Sequence, residues 1–600
     1  MITKTYKRKW LCTALFTLHC SLFTSVALLC SLFTCLALTS CDDFIYSDSD
    51  QVIYDDGGRR LNSDADTLWA VAGIMNKMQA IADRTILLGE MRGDLVNITE
   101  KASTDLRQLA SFDVTTDNKY AHLQDYYAVI NNCNYYLAKV DTAVRNNRNE
   151  YLFMKEFAAV KAFRAWTYLQ LALNYGNVPF ITEPILTEEQ SEQDYPLYNL
   201  QQICEYFAAD IAPFATVETP GYESIRNTNS KLFYYPIYVL LGDLYLWSGK
   251  YREAAENYYQ YISTRNGRNS SYPLTTNAVR YQSSDSRWMS ASDSWSTSCF
   301  GSLSETLTSQ SELITMIPGD SIPSEGNYSE LRDLFNTSEG NDYQSSIIPS
   351  EAIKALSASQ KYCHLTSGGD YVYAPSELTA LKRGDQRLAA VYTTLDGVNM
   401  ISNGKKITNY SAISKHSTRN VHILRRSMVY LRMAEALCRA GYPRFAFQIL
   451  KTGVNNTVIE NNVIPYYSPE HASWLRSFNF PNTQYILETR GGATSENTIG
   501  IHGRGCGYSA NDTAYVMPDN PAITDSLARL NYQIEQVENL IITESALEHA
   551  FEGQRFYDLM RVALRRNDPA FLADKVARRN GTLDASLQQK LMDTKNWFIK

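Results

Sequence analysis

Residues 547–561 read Leu547-Glu548-His549-Ala550-Phe551-Glu552-Gly553-Gln554-Arg555-Phe556-Tyr557-Asp558-Leu559-Met560-Arg561. Leu547, Phe551, Leu559, Met560 and, just beyond, Ala563 recur at three- and four-residue intervals, which predicts an amphipathic helix burying that stripe. Glu552, Arg555, Asp558 and Arg561 stand three apart, so opposite charges meet along its flank as an ion-pair ladder. Gly553 costs a helix about 1 kcal/mol relative to alanine, and its presence points to close approach of another backbone.

Outward from this stretch the chain reads as helices with irregular insertions. Leu68, Val71, Ala72, Met75, Met78 and Ile81 form one helical face, with Ser63 or Asp64 as its cap. A second helix runs through Leu123, Tyr127, Ile130, Asn134 and Leu137. A third runs from about Tyr151 to Tyr175 and stops at Gly176, with Pro179 beyond. Tyr238, Leu241, Gly242, Tyr245, Gly249, Ala254 and Tyr258 fit the large, small and turn positions of a tetratricopeptide hairpin. Tyr430, Met433, Ala434, Leu437, Gly441, Ala446 and Leu450 repeat that register. Such hairpins bury their faces only by stacking. A stack is therefore expected from separated pieces: these two hairpins, one over 121–175, and C-terminal helices near 524–540 and 543–566, with 265–425 inserted.

Four blocks together resemble the SusD/RagB family of outer-membrane nutrient-binding lipoproteins. Glu544, Glu548, Glu552, Gly553, Arg555, Phe556, Asp558, Leu559 and Arg561 are similar to its C-terminal signature, which is structural in the family. Arg164-Ala165 through Tyr168 and Leu171, followed by Gly176-Asn177-Val178-Pro179, is similar to a second block. Asp385-Gln386-Arg387-Leu388 resembles its Asp-x-Arg-Leu signature, and Tyr430-Leu431 with Ala434-Glu435-Ala436 resembles its Tyr-Leu-x-x-Ala-Glu-Ala signature. The resemblance implies a mostly α fold, with tetratricopeptide-like hairpins supporting a loop-rich region in one body over 63–600.

The N-terminus reads independently as an export signal. Lys4, Lys7, Arg8 and Lys9 precede an uncharged apolar run from Trp10 to Leu38, then Leu38-Thr39-Ser40-Cys41, a bacterial lipobox. The run is long enough to span a bilayer uncleaved. Its length follows from the repeated Leu-Phe-Thr unit at 15–17, 22–24 and 32–34, and cleavage before a lipidated Cys41 is the reading adopted. Residues 1–40 are then the signal peptide, and 41–62 a tether carrying Asp42, Asp43, Asp48, Asp50, Asp55 and Asp56. A solvated linker explains these acids equally well, and the resemblance favours export to the cell surface.

Loss of four basic leader residues leaves 52 Lys/Arg against 64 Asp/Glu, a net charge of −12, which argues against nucleic acid as a partner. Cys133, Cys204, Cys299, Cys363, Cys438 and Cys506 remain, scattered without Cys-x-x-Cys spacing, so no zinc site or dense disulfide scaffold is expected. No cofactor or metal motif appears. The histidines form no His-Glu-x-x-His pair, there is no P-loop or nucleophile elbow, and Gly503-Arg504-Gly505-Cys506-Gly507 lacks the setting of a nucleotide fingerprint.

Binding residues concentrate on loops held by a rigid scaffold. The inserted region carries Tyr281, Trp288, Trp295, Phe300, Tyr328 and Tyr343 among short polar residues. These rings fit a satellite core as well as a ligand site, and at least one tryptophan is expected to face ligand, since flat rings stack on sugars. A second candidate patch follows the first helix: Arg84, Glu90, Arg92, Asp94 and Asn97, of which the resemblance singles out Arg92, Asp94 and Asn97. Ion-paired structural roles fit this patch too. The family resemblance implies a non-enzymatic surface lipoprotein that binds an oligomeric nutrient, expected to be a glycan, and hands it to a SusC-like TonB-dependent outer-membrane barrel. Peptide capture, as in the RagB branch, an adhesin and a glycoside hydrolase are the alternatives.

Overall fold

Hydrophobic spacing of three and four residues produces helices wherever it recurs, and the order in which they pack decides the architecture. In this computed structural model the described residues are 60–600, apart from 264–273, 275–278, 283–286, 291–294, 296–298, 301–304, 307–310, 321–325, 337–344, 362, 366–367, 374–383, 403–404, 481–499 and 508–511. The leader, Cys41 and almost all of the tether lie outside them. Residues 61–600 make one unit.

Helix α1 (Asp64–Glu90) begins at Ser63, whose hydroxyl accepts the Asp66 N–H. Val71, Ile74, Met78 and Ile81 face the core, while Leu68 is left exposed, one position off the expected stripe. α1 packs on α2 (Leu123–Lys139), which pairs with α3 (Met154–Tyr175). Gly176, at φ 76°, ends α3 in a conformation that side chains disfavour. α4 (Leu200–Ile211) links α3 to the next hairpin, α5 (Ile237–Trp247) and α6 (Tyr251–Ser263). α6 then packs on α7 (Arg426–Arg439), which pairs with α8 (Pro443–Lys451), and both rest on the long α9 (Ser526–His549). The stack expected from separated pieces is thus formed across the insertion.

The two tetratricopeptide registers work as small-into-large packing. A Cβ on Gly242 would stand 2.4 Å from the Tyr258 ring, so only glycine lets α5 and α6 close. Asp243 on α5 locks this hairpin to the next: it accepts from Tyr235 at 2.8 Å, Tyr258 at 2.6 Å and Arg432 of α7 at 2.9 Å.

The stretch 547–561 is not one helix. α9 ends at His549, Phe551 and Gly553 take positive φ (72° and 78°), and α10 (Arg555–Arg566) starts afresh. A Cβ on Gly553 would lie 2.2 Å from the Thr85 carbonyl oxygen, and one on Gly89 would lie 1.8 Å from the Gly553 oxygen. Gly553 does serve close backbone approach, but from a turn rather than a helix interior. The expected break between two C-terminal helices near 540 is likewise absent, since α9 runs through it.

The insertion is richer in strands than its composition suggested. β4 and β8 of the chain's small two-stranded sheets are Leu313–Ile317 and Val421–Arg425, which pair with each other; β1 (Val96–Ile98) pairs with β5 (Ile347–Pro349). β2 (Val279–Gln282) and β3 (Arg287–Ser290) form a hairpin that sets Tyr281 opposite Trp288, and β6 (Tyr392–Ser402) and β7 (Lys405–Ile413) form a longer one. Short alternation within polar stretches hides such strands from a periodicity reading.

Candidate functional site

The three glutamates spaced four apart in the C-terminal signature clamp the insertion onto α9. Arg387 donates to Asp385 at 2.6 Å, Glu544 at 2.9 Å and Glu548 at 3.0 Å. Arg425 reaches Glu548 and Glu552, each at 2.7 Å, while Arg504 bridges Glu548 at 2.5 Å and Glu312. Lys415 completes the set on Glu552 at 2.5 Å. All these groups are buried, and four cations stand against five carboxylates, so nearly every charge meets an opposite one where water cannot solvate it. Burial raises the Glu552 carboxyl, but Arg425 and Lys415 outweigh it and hold it down at about 2. Gly505 belongs here as well: a Cβ on it would fall 2.1 Å from the Asp385 carboxylate, which gives this glycine a packing reason without a nucleotide.

Trp295, expected as a ligand platform, is part of this core. It is 0% exposed, edge-on to Phe300 at 5.5 Å, with the Lys415 ammonium 5.4 Å from its ring centre. A ring enclosed by cations and a phenylalanine offers no face to a sugar, so the expectation for Trp295 is corrected to packing. Tyr328 is half-buried beneath the Arg419 guanidinium, 3.8 Å from its ring centre. For Tyr281 and Trp288 the backbone pairing is described and the side chains are not; Tyr343 lies outside the described residues.

The patch after α1 divides in two. Arg92 is 1% exposed and donates to the Leu88 carbonyl at 2.8 Å, the Trp597 carbonyl at 2.9 Å and the Asn174 amide oxygen, its guanidinium 4.2 Å from the Phe556 ring centre. Asp94 takes a two-pronged bond from Arg555, at 2.5 and 3.0 Å. Burial pushes the Asp94 carboxyl up, and the Arg555 guanidinium more than reverses this, holding it below the usual carboxylate range. Both expected ligand residues are therefore corrected to internal ties between α1 and the C-terminal helices. Arg84 likewise is buried, donating to the His122 carbonyl at 2.7 Å and paired with Asp125, and Glu90 accepts the Gly553 N–H at 2.8 Å.

Asn97 differs. It sits half-buried on β1 and lines a cavity of about 530 Å³, a size suited to a small ligand. The walls come from three places in the chain: β1, the helix Thr104–Ser111 capped by Ser103, and the C-terminal segment around the helix Ala585–Leu591 capped by Asp584. Arg107, Asp113, Arg579 and Lys590 bring charge to it, while Ile98, Ala110 and Leu587 bring apolar surface. The Asn97 side-chain oxygen accepts the Ile98 N–H at 2.9 Å, and its NH₂ has no partner among the described residues. Lys590 donates to Asp113 and, at 3.0 Å, to the Ser111 carbonyl; that first bond holds the Asp113 carboxyl below its usual range. Sequence reasoning missed Arg107, Arg579 and Lys590. No local signal marks them, because the cavity joins residues more than 450 positions apart.

No protein-family model matches the chain, and no curated protein matches it in sequence. Solved structures do. A SusD-like carbohydrate binding protein from Bacteroides fragilis superposes with a TM-score of 0.51 at 14% identity, over 85% of this chain and 88% of that one. A SusD superfamily protein from Bacteroides vulgatus gives 0.50 at 13% identity, over 88% and 92%. The chain has the SusD-like fold. Within this SusD-like fold the four blocks of sequence resemblance all sit at joints. Asp385 and Arg387 meet Glu544 and Glu548, Glu435 takes two bonds from Arg561 at 2.8 and 2.6 Å, Arg164 donates to Asn134 at 3.0 Å, and Arg555 holds Asp94. A signature made of joints identifies the SusD-like scaffold and leaves its ligand open.

Proposed function

We propose that this chain is a glycan-binding member of the SusD/RagB family, a surface lipoprotein anchored through Cys41 that captures an oligosaccharide and passes it to a SusC-like TonB-dependent outer-membrane barrel. The observation that carries the reading is the SusD-like fold, shared over 85% of the chain with a protein described as carbohydrate binding. The lipobox Leu38-Thr39-Ser40-Cys41 supports the anchor, since two or more acyl chains give stable membrane attachment. The reading is binding and handover, with no bond cleaved. Tethering near a barrel raises the effective concentration of a weakly held ligand at the entrance.

The test is a binding screen of the soluble chain beginning after Cys41 against glycan and peptide oligomers, by isothermal titration calorimetry. Glycan binding without release of reducing ends is expected. Peptide binding in place of glycan moves the reading to the RagB branch, and new reducing ends move it to a hydrolase. In cells, the full chain is expected to label with palmitate and to co-purify with a barrel, and Cys41→Ala is expected to lose both. An unlabelled parent chain refutes the anchor.

A further inference from the structure

We propose that the cavity beside Asn97 takes the anionic group of an acidic saccharide, held by Arg107 and Arg579. The inference rests on the glycan reading above and narrows its ligand class. Elsewhere in the fold the buried arginines Arg387, Arg425, Arg504, Arg555 and Arg561 are neutralised by carboxylates, while Arg92 is spent on carbonyl and amide oxygens inside the core. The buried Arg579 and the exposed Arg107 line the cavity, and they too are held by carbonyls alone. Arg579, 9% exposed, donates to the main-chain carbonyls of Met91, at 3.0 Å, and Ala110. Arg107 donates to the carbonyls of Ala102 at 3.2 Å, Thr99 at 3.2 Å and Glu100 at 2.9 Å. Among the described residues neither has a carboxylate partner.

Carbonyl dipoles fix where a guanidinium sits without cancelling its charge. The remaining charges cancel it only in part, since Lys590 is matched by Asp113 and Asp584, which caps the Leu587 N–H at 3.0 Å, offsets one arginine of the two. Arg107, Arg579 and Lys590 against Asp113 and Asp584 leave the cavity one positive charge in excess, on a chain that is acidic as a whole. Burial also pulls the Arg579 guanidinium below its usual value and the Asp94 and Asp584 charges offset this only in part, so a bound anion would relieve the remaining desolvation. Guanidinium and carboxylate or sulfate match in planar, two-pronged geometry. The Asn97 NH₂, unpartnered among the described residues, lines the same cavity and can donate to a sugar hydroxyl.

The experiment is calorimetric titration of the soluble chain with oligogalacturonate, oligoalginate and hyaluronan fragments, a sulfated galactan fragment, and the methyl-esterified or desulfated counterpart of each. At least one anionic oligomer is expected to bind tenfold or more tightly than its neutral counterpart, with the advantage shrinking as salt rises. Arg107→Gln, at an exposed position, is expected to cut that affinity about tenfold and leave the melting temperature unchanged, and Arg579→Gln to do the same in its folded fraction. Whether carboxylated or sulfated oligomers respond identifies the anionic group. Equal binding of acidic and neutral forms, or undiminished acidic binding by Arg107→Gln, overturns the anion site while the glycan reading stands. Binding of neutral glycans alone does the same. Peptide binding with no glycan bound overturns both.

Discussion

Glu90 shows at the scale of one residue how context overrides identity. It is fully buried, one oxygen accepts the Gly553 N–H, and the other has no partner among the described residues. Burial pushes its carboxyl up from 4.5 to about 7. Below the unfolded value both states hold the proton. Between there and about pH 7 the unfolded chain releases it while the folded chain keeps it, so stability from this group is lost as pH rises. Glu90→Gln is therefore expected to raise stability at pH 8 by up to about 3 kcal/mol and to leave it nearly unchanged at pH 4.5. Denaturant melts of both proteins across that range check it, and a difference independent of pH would refute the assignment. The sequence marked Glu90 as a candidate but gave no sign of its burial. Trp295 misled in the opposite way, because its neighbours Lys415 and Arg425 lie over a hundred positions downstream.

At the scale of elements, glycine divides into two kinds that look alike in sequence. Gly553 sits at φ 78° against the Thr85 carbonyl, whereas Gly73 lies inside α1 with nothing within 4 Å of where a Cβ would be. Gly553→Ala must relieve both a left-handed conformation and a backbone clash, so it is expected to cost on the order of 3 kcal/mol or more. Gly73→Ala is expected to stabilise by about 0.5–1 kcal/mol through helix propensity alone. Urea melts of the pair measure the contrast, and equal effects would contradict the packing of α1 against the 550–554 turn. The helices themselves were legible. Ser63, Gly176 and the two tetratricopeptide registers fall where spacing and caps put them. The turn at 550–554 was not, since Leu547 and Phe551 keep helical spacing through it.

At the scale of the molecule, the buried ion cluster joins the insertion to the stack, and its weakness is acid. Glu552 in the cluster, and Glu435 in its separate pairing with Arg561, are held at about 2, below their unfolded value of 4.5, so the stability they contribute is complete above 4.5 and is lost as pH falls toward 2. Arg425→Met leaves Glu548 and Glu552 short of a counter-charge and is expected to cost about 3–5 kcal/mol at pH 7. The gap to the parent should narrow between pH 4.5 and 2, because Glu552 then titrates closer to its unfolded value. Melting temperatures at stepped pH test this. A variant as stable as the parent at pH 7 would show that the cluster is not what couples the two regions.

The sequence by itself determined the helices, their caps, the paired hairpin grammar and the acidic character of the chain, because each is written within a few neighbouring residues. It also supplied the motif blocks by which the SusD-like scaffold could be anticipated. Only the tertiary structure decided which charges meet an opposite charge and which do not. Arg425 and Arg579 are the same residue type in sequence and both are buried; what separates them is whether the distant segment that meets the guanidinium brings carboxylates, as Glu548 and Glu552 do for Arg425, or only main-chain carbonyls, as Met91 and Ala110 do for Arg579. That is why Arg92 and Asp94 proved to be internal ties, why Asn97 stayed open to a cavity, and why the arginines beside it could not be read from their own surroundings in the chain.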